Sequence, residues 1–266
     1  MQYDNTSHKK FVQYYLEKSK TSEDEKRALR LKETINIFAQ KKLNKNKQAL
    51  TDVLDVGCGP GIQSIVWAKG GCNVHAVDVN ESFVAEAKKN MGEEGVNIDF
   101  RIGSATSMPW ADESFDVCLV PELLEHVSEW LTCLKECVRV LKPHGILYIS
   151  TTNKICPLQH EYNLPLFSWY PNFLKNYYYK KAITTRKDLA SYATYPAINW
   201  FTPYSLTYEL KKMDMISYNR FEIMHICTES IGKKLMSGII KKNRVLDFIG
   251  HLVSRGTRVV AYKREN

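Results

Sequence analysis

Residues 53–61 read Val53-Leu54-Asp55-Val56-Gly57-Cys58-Gly59-Pro60-Gly61. An apolar run that ends in a glycine-rich turn suits the carboxyl end of a buried strand whose backbone must come close to a ligand, because no Cβ stands in the way. Asp78 closes the next apolar run about 20 residues later, where a carboxylate can accept both hydroxyls of a ribose. Dinucleotide-binding turns place a third glycine as GxGxxG, but here Ile62 holds that place and an acid, Asp55, precedes the turn. A pyrophosphate wants only N–H donors. An acid at Asp55 instead suits a ligand with a positively charged amino group.

Working outward, short apolar runs alternate with amphipathic segments, the pattern of a parallel sheet covered by helices. Strands are predicted at Val53–Val56, Asn73–Val79, Val96–Ile102, Phe115–Val120 and Ile146–Thr151, with helices at Gln63–Lys69, Glu81–Asn90 and Trp130–Leu141. The last of these helices carries Leu131, Leu134, Val138 and Leu141 on one face and stops before Pro143. Thr202 caps a helix that Pro203 begins and Lys212 ends. Ile216–Met224 and Thr257–Lys263 read as two further strands. The fold class is therefore α/β, a Rossmann-like doubly wound sheet of seven strands. Upstream, residues 8–48 have helical period, with Phe11, Tyr14, Tyr15 and Leu16 followed by Leu29, Leu31, Ile35, Ile37 and Phe38.

With 266 residues, 44% of them hydrophobic and 25% charged, the chain matches one globular α/β domain carrying insertions. It does not match a disordered, collagen-like or membrane-spanning chain. No apolar run approaches the roughly 20 residues that cross a bilayer, and MQYDNTSHKK at the N-terminus has no apolar signal core. A cytoplasmic protein is expected. Cys58, Cys72, Cys118, Cys133, Cys137, Cys156 and Cys227 show no CxxC spacing and read as reduced packing residues. The formal charge of +8 fits an anionic partner or plain solvation by scattered lysines such as Lys41-Lys42 and Lys233-Lys234. No nucleic acid partner is expected.

Residues 52–153 resemble the class I S-adenosylmethionine (SAM)-dependent methyltransferases, in particular the branch of the ubiquinone-biosynthesis O-methyltransferases. The resemblance rests on VLDVGCGPG at 53–61, VDVN at 77–80, FDVCLVPELLEHV at 115–127 and RVLKPHGILYISTTN at 139–153. It implies SAM as the cofactor, with Asp55, Gly57, Cys58 and Gly59 around its methionine half and Asp78 with Val79 at the ribose. Ser104, Ala105 and Pro121 would border the adenine and the sulfonium. Many relatives carry an acid where Ser104 stands. Arg30 falls where the branch can clamp the cofactor carboxylate, or is a surface arginine. The last two strands of such enzymes form an antiparallel pair.

Such an enzyme needs a proton acceptor if oxygen is methylated. Glu122, Glu125 and His126 would share a face if the segment after the fourth strand is helical, and an imidazole with a pKa near about 6.5 is a suitable general base. His126 is the first candidate and His160, beside Glu161, the second. Either also reads as a hydrogen-bonded structural histidine, His160 more readily than His126. The resemblance also allows Mg²⁺ on Glu122, Glu125 and His126.

The chain divides into the lead-in of residues 1–48, a cofactor-binding core at 52–153, an insertion at 154–200 and a C-terminal part at 201–266. The insertion is rich in tyrosine and tryptophan and broken by Pro157, Pro165, Pro171 and Pro196. It reads as a lid over a small-molecule or lipid-like acceptor, or as a satellite core at a homodimer contact. Ser230–Ser254 reads as a basic amphipathic helix fit to lie on an anionic membrane. Two other readings stay open, a silent SAM-binding protein on the same fold and an NAD-dependent oxidoreductase.

Overall fold

The computed structural model describes residues 22–45 and 50–265. Residues 8–21 of the expected lead-in lie outside them. The chain folds as two compact units, the first holding the residues up to Val120 with Leu131–Leu147 and Glu265, the second holding Pro121–Trp130 and Tyr148–Arg264.

The first unit opens with α1 (Ser22–Leu43), whose Ile35, Phe38 and Ala39 are buried. Acids in its first turn and lysines in its last complement the helix dipole. There follow β1 (Asp52–Val56), α2 (Ile62–Lys69), β2 (Asn73–Asp78), α3 (Glu81–Glu93), β3 (Ile98–Ile102), β4 (Phe115–Pro121) and α4 (Trp130–Arg139). Lys32 of α1 donates to the carbonyls of Val66 and Trp67 at 3.2 and 3.4 Å, which satisfies the open C-terminal turn of α2. β1 pairs in parallel with β2 and β4, and β2 with β3. Their apolar runs are buried almost throughout, as a sheet covered on both faces requires. Arg139 holds the β3–β4 connection, donating to the carbonyls of Met108 and Trp110 and pairing with Asp112 and Glu136.

The helix expected to reach Leu141 ends at Arg139, and β5 (Leu141–Thr152) starts earlier than expected. Pro143 is the cause: it lacks an N–H to continue the helix and disfavours α geometry at Lys142. β5 runs from the first unit into the second, and the seven strands lie in the order β3-β2-β1-β4-β5-β7-β6.

In the second unit, α5 (Asn172–Ile183) belongs to the insertion and is followed by α6 (Pro203–Lys212), β6 (Met215–Asn219), α7 (Arg220–Cys227), α8 (Ile231–Lys242), α9 (Arg244–Leu252) and β7 (Gly256–Lys263). β6 and β7 pair antiparallel, Met215 opposite Lys263. The Thr202 cap forms as expected, its hydroxyl accepting from Ser205 N at 3.0 Å while Ser205 Oγ accepts from Thr202 N. Two expectations fail here. The apolar run to Met224 leaves the sheet at Asn219, where a capping box with Glu222 starts α7. The single basic helix is two, because Asn243 caps a new one through the N–H groups of Val245 and Leu246.

The aromatic insertion has its own core. Tyr162 and Phe167 are buried and stack at 4.1 Å between centroids, Trp200 packs edge-on to Phe167, and Lys175 lies 4.9 Å from the centre of the Trp200 ring. This is the satellite-core arrangement. The cysteines carry no disulfides.

Candidate active site

In the first unit the turn after β1 takes Gly57, Gly59 and Gly61 through φ of 73°, 51° and 83°, backbone that side-chain-bearing residues rarely adopt. Gly57 N and Cys58 N donate to the Val77 carbonyl at 2.8 and 3.2 Å, tying the turn to β2. Gly59 N donates to one oxygen of Asp78 at 2.9 Å and Asn80 N to the other at 2.8 Å. Each carboxylate oxygen has two acceptor sites, so Asp78 keeps capacity for a ligand's hydroxyls. A Cβ on Gly59 would meet nothing within 4 Å, whereas one on Gly61 would press on Phe100 and Ala87. The first glycine therefore faces open space and the second serves packing.

Asp55 is fully buried below this turn. Its Oδ2 accepts from Ser64 Oγ at 2.6 Å, and its Oδ1 has no hydrogen-bond partner among the described residues. Burial pushes its carboxyl up to about 6, with the nearby Asp78 charge adding to the effect. Burial, with the charges of Asp55 and Asp78, likewise pushes the Cys58 thiol well up. Gly103 N donates to the Asp78 carbonyl and brings Ser104 and Ala105 beside β2. The Ser104 hydroxyl is spent on a local turn with Thr106. Asp55, Gly57, Cys58, Gly59, Asp78, Val79, Ser104 and Ala105 thus gather at the carboxyl ends of β1 to β3. Arg30 does not join them, since it pairs with Glu23 at 2.6 Å on the exposed face of α1.

Pro121 ends β4, and in the second unit the segment after it is a series of turns, not the expected helix. Glu122 has φ of 51° and donates its N–H to the Ser150 carbonyl, which breaks any helical start. Glu125 is nonetheless buried, accepting from Thr151 Oγ1 at 2.7 Å with its Oε1 unpartnered among the described residues. Burial, then the charges of Glu122 and Glu161, push its carboxyl well above the usual range. His126 Nε2 stands 4.0 Å from a Glu161 oxygen, and its buried Nδ1 has no partner among the described residues. His160 Nε2 instead faces Arg255 at 3.0 Å, where it must act as the acceptor. No group of three or more His, Cys, Asp or Glu among the described residues is placed to hold a metal, so Glu122, Glu125 and His126 do not form the Mg²⁺ set.

Ser64 and Thr151 were not singled out in the sequence, and Glu161 only as the neighbour of His160. Ser64 is in the first turn of α2, and a hydroxyl there is the only local signal that Asp55 is held.

A family described as "Methyltransferase domain" matches residues 54–149. The ubiquinone biosynthesis O-methyltransferase of Parvibaculum lavamentivorans is 37% identical over 101 residues, 38% of this chain and 40% of the relative. That of Pseudomonas aeruginosa is 40% identical over 105 residues, 38% of this chain and 44% of the relative. The matched stretch thus spans about two fifths of these relatives' length. Among solved structures, the plantazolicin methyltransferase BpumL, in complex with a monoazolic desmethylPZN analog and SAH, has a TM-score of 0.60 at 14% identity, covering 96% of this chain and 89% of that one. The YcgJ protein of Bacillus subtilis has a TM-score of 0.53 at 16% identity, covering 82% and 94%. These likenesses show the fold.

Proposed function

We propose that the protein is a SAM-dependent methyltransferase acting on the oxygen of a small-molecule or lipid-like acceptor. The observation that carries this reading is Asp55, a buried carboxylate with an unpartnered oxygen beside an open glycine turn. An acid held there costs the fold, and a ligand ammonium would offset that cost. Asp78, its oxygens anchored by Gly59 and Asn80, would hold the ribose. The matched family and the names of the relatives point the same way.

SAM supplies an already activated methyl group, so the protein's part is orientation and desolvation. His126 supports the reading of a base better than His160 does, because His160 Nε2 is engaged by Arg255. Glu161, 4.0 Å from His126 Nε2, is placed to stabilise the imidazolium that proton removal leaves. Glu122 contributes to the same acidic surround. The finer parts of the reading are an acceptor under the aromatic insertion and a peripheral contact with an anionic membrane. No helix among the described residues is long and apolar enough to cross one.

Titration calorimetry with SAM and with NAD tests the cofactor, and SAM alone should bind. Asp78→Ala should weaken SAM by about 1.5 to 3 kcal/mol, the worth of a hydrogen bond to a charged group. Unchanged affinity would remove the cofactor assignment.

The pH dependence follows from Asp55. Its folded pKa of about 6 lies above the unfolded value of 3.8, so the empty protein is more stable as pH falls through 6 and is destabilised above it. A ligand ammonium favours the ionised form. Affinity for SAM should therefore rise with pH through about 6, and binding near pH 5.5 should release protons. Calorimetry in two buffers of different ionisation enthalpy reads that release, and its absence would place the amino group elsewhere.

A further inference from the structure

α8 and α9 are built inside out. Along α8, Ile231, Leu235 and Ile239 repeat every four residues as one stripe, and all are exposed, Ile231 at 86% and Leu235 at 66%. Ser237 lies two positions from both Leu235 and Ile239, on the opposite side of the helix, and it is the residue buried. Its hydroxyl bonds back to the carbonyl of Lys233, and it packs beside His225 of α7. α9 repeats the inversion. Asp247 and His251 face inward, Asp247 accepting from Tyr204 Oη at 2.7 Å and from Asn219 Nδ2 at 3.3 Å. Val245, Phe248, Ile249 and Val253 face outward and are exposed. A helix that packs on its own protein normally turns its apolar stripe inward. Here both turn it out.

The charges around this face choose what covers it. Lys233, Lys234, Lys241, Lys242 and Arg244 are all exposed along it. No acidic residue occurs from Ile231 to Leu246, and Asp247 is turned inward. A second copy docking by the same face would set these cations against their equivalents, a like-charge arrangement that disfavours pairing. An anionic bilayer complements them, because apolar side chains enter the acyl boundary while lysines meet the headgroups. The α8 helix has 12 residues, a length of about 18 Å, too short to span and long enough to lie in the interface.

We propose that α8 and α9 form a docking face for the surface of an anionic membrane. This deepens the peripheral contact stated with the proposed function, and its test needs neither cofactor nor methyl acceptor. In co-sedimentation, the full chain should bind vesicles of phosphatidylglycerol and phosphatidylcholine at least tenfold more tightly than vesicles of phosphatidylcholine alone, and salt should weaken the binding. Leu235→Glu with Phe248→Glu should lower vesicle binding at least tenfold while the thermal melt and SAM affinity stay unchanged. Lys233→Gln and Lys234→Gln should each cost about fivefold at low salt, which also serves if the glutamate pair does not fold. Wild-type protein that stays in the supernatant overturns the proposal, as does binding that all four substitutions leave intact. A vesicle-free dimer that Leu235→Glu dissolves in ultracentrifugation would also overturn it, giving the face to a second copy. Loss of SAM binding with vesicle binding retained would count against the methyltransferase reading alone.

Discussion

His126→Ala should lower methyl-transfer turnover by roughly 10² to 10⁴, the usual contribution of a positioned general base, while SAM affinity changes little. The expectation rests on its surroundings: a buried Nδ1 without a partner among the described residues, and Glu161 4.0 Å from Nε2. Single-turnover kinetics on an identified acceptor, beside calorimetry with SAM, separates chemistry from binding. Glu161→Gln should reproduce part of the loss, since the imidazolium would keep a hydrogen-bond partner but lose a charge. Full turnover in His126→Ala would leave His160 or a pre-ionised acceptor as the better account.

The second large effect belongs to Gly57→Val, which should abolish measurable SAM binding. At φ of 73° any side chain is strained, and a β-branched one most of all, so the turn must shift. A shifted turn would break the bonds from Gly57 and Cys58 to Val77 and displace Gly59 from Asp78. The apolar core of β1 and β2 does not pass through this glycine, so the chain should still fold, with a melting temperature lowered by several degrees. Calorimetry and a thermal melt on the same sample check both halves. Retained binding would show that the turn does not face the cofactor.

The glycine turn and its carboxylates were readable because their parts are local: β1, the turn and Asp78 fall in one βαβ unit whose period and punctuation are strong. The segment after β4 and the aromatic insertion were readable only in composition. ELLEHV looked helical, yet the positive φ at Glu122 is set by its bond to Ser150 on another strand, which no local pattern shows. Glu161 meets His126 across 34 intervening positions of chain, a distance that periodicity cannot bridge. Elsewhere the signal was present and passed over. Asn219 and Glu222 form an N-x-x-E capping box inside the run read as a strand, and Asn243 between Lys242 and Arg244 marks the second start in the run read as one helix.

Cys58 lies within the glycine turn, buried and within the field of Asp55 and Asp78. Thiolate is the form that electrophiles and peroxides attack, and burial, with the charges of Asp55 and Asp78 added, disfavours it here. The acids that would receive a cationic cofactor therefore also add to the burial that disfavours the thiolate. A reactive residue type can stand at the tightest bend of the site without making that site a sensor of redox stress.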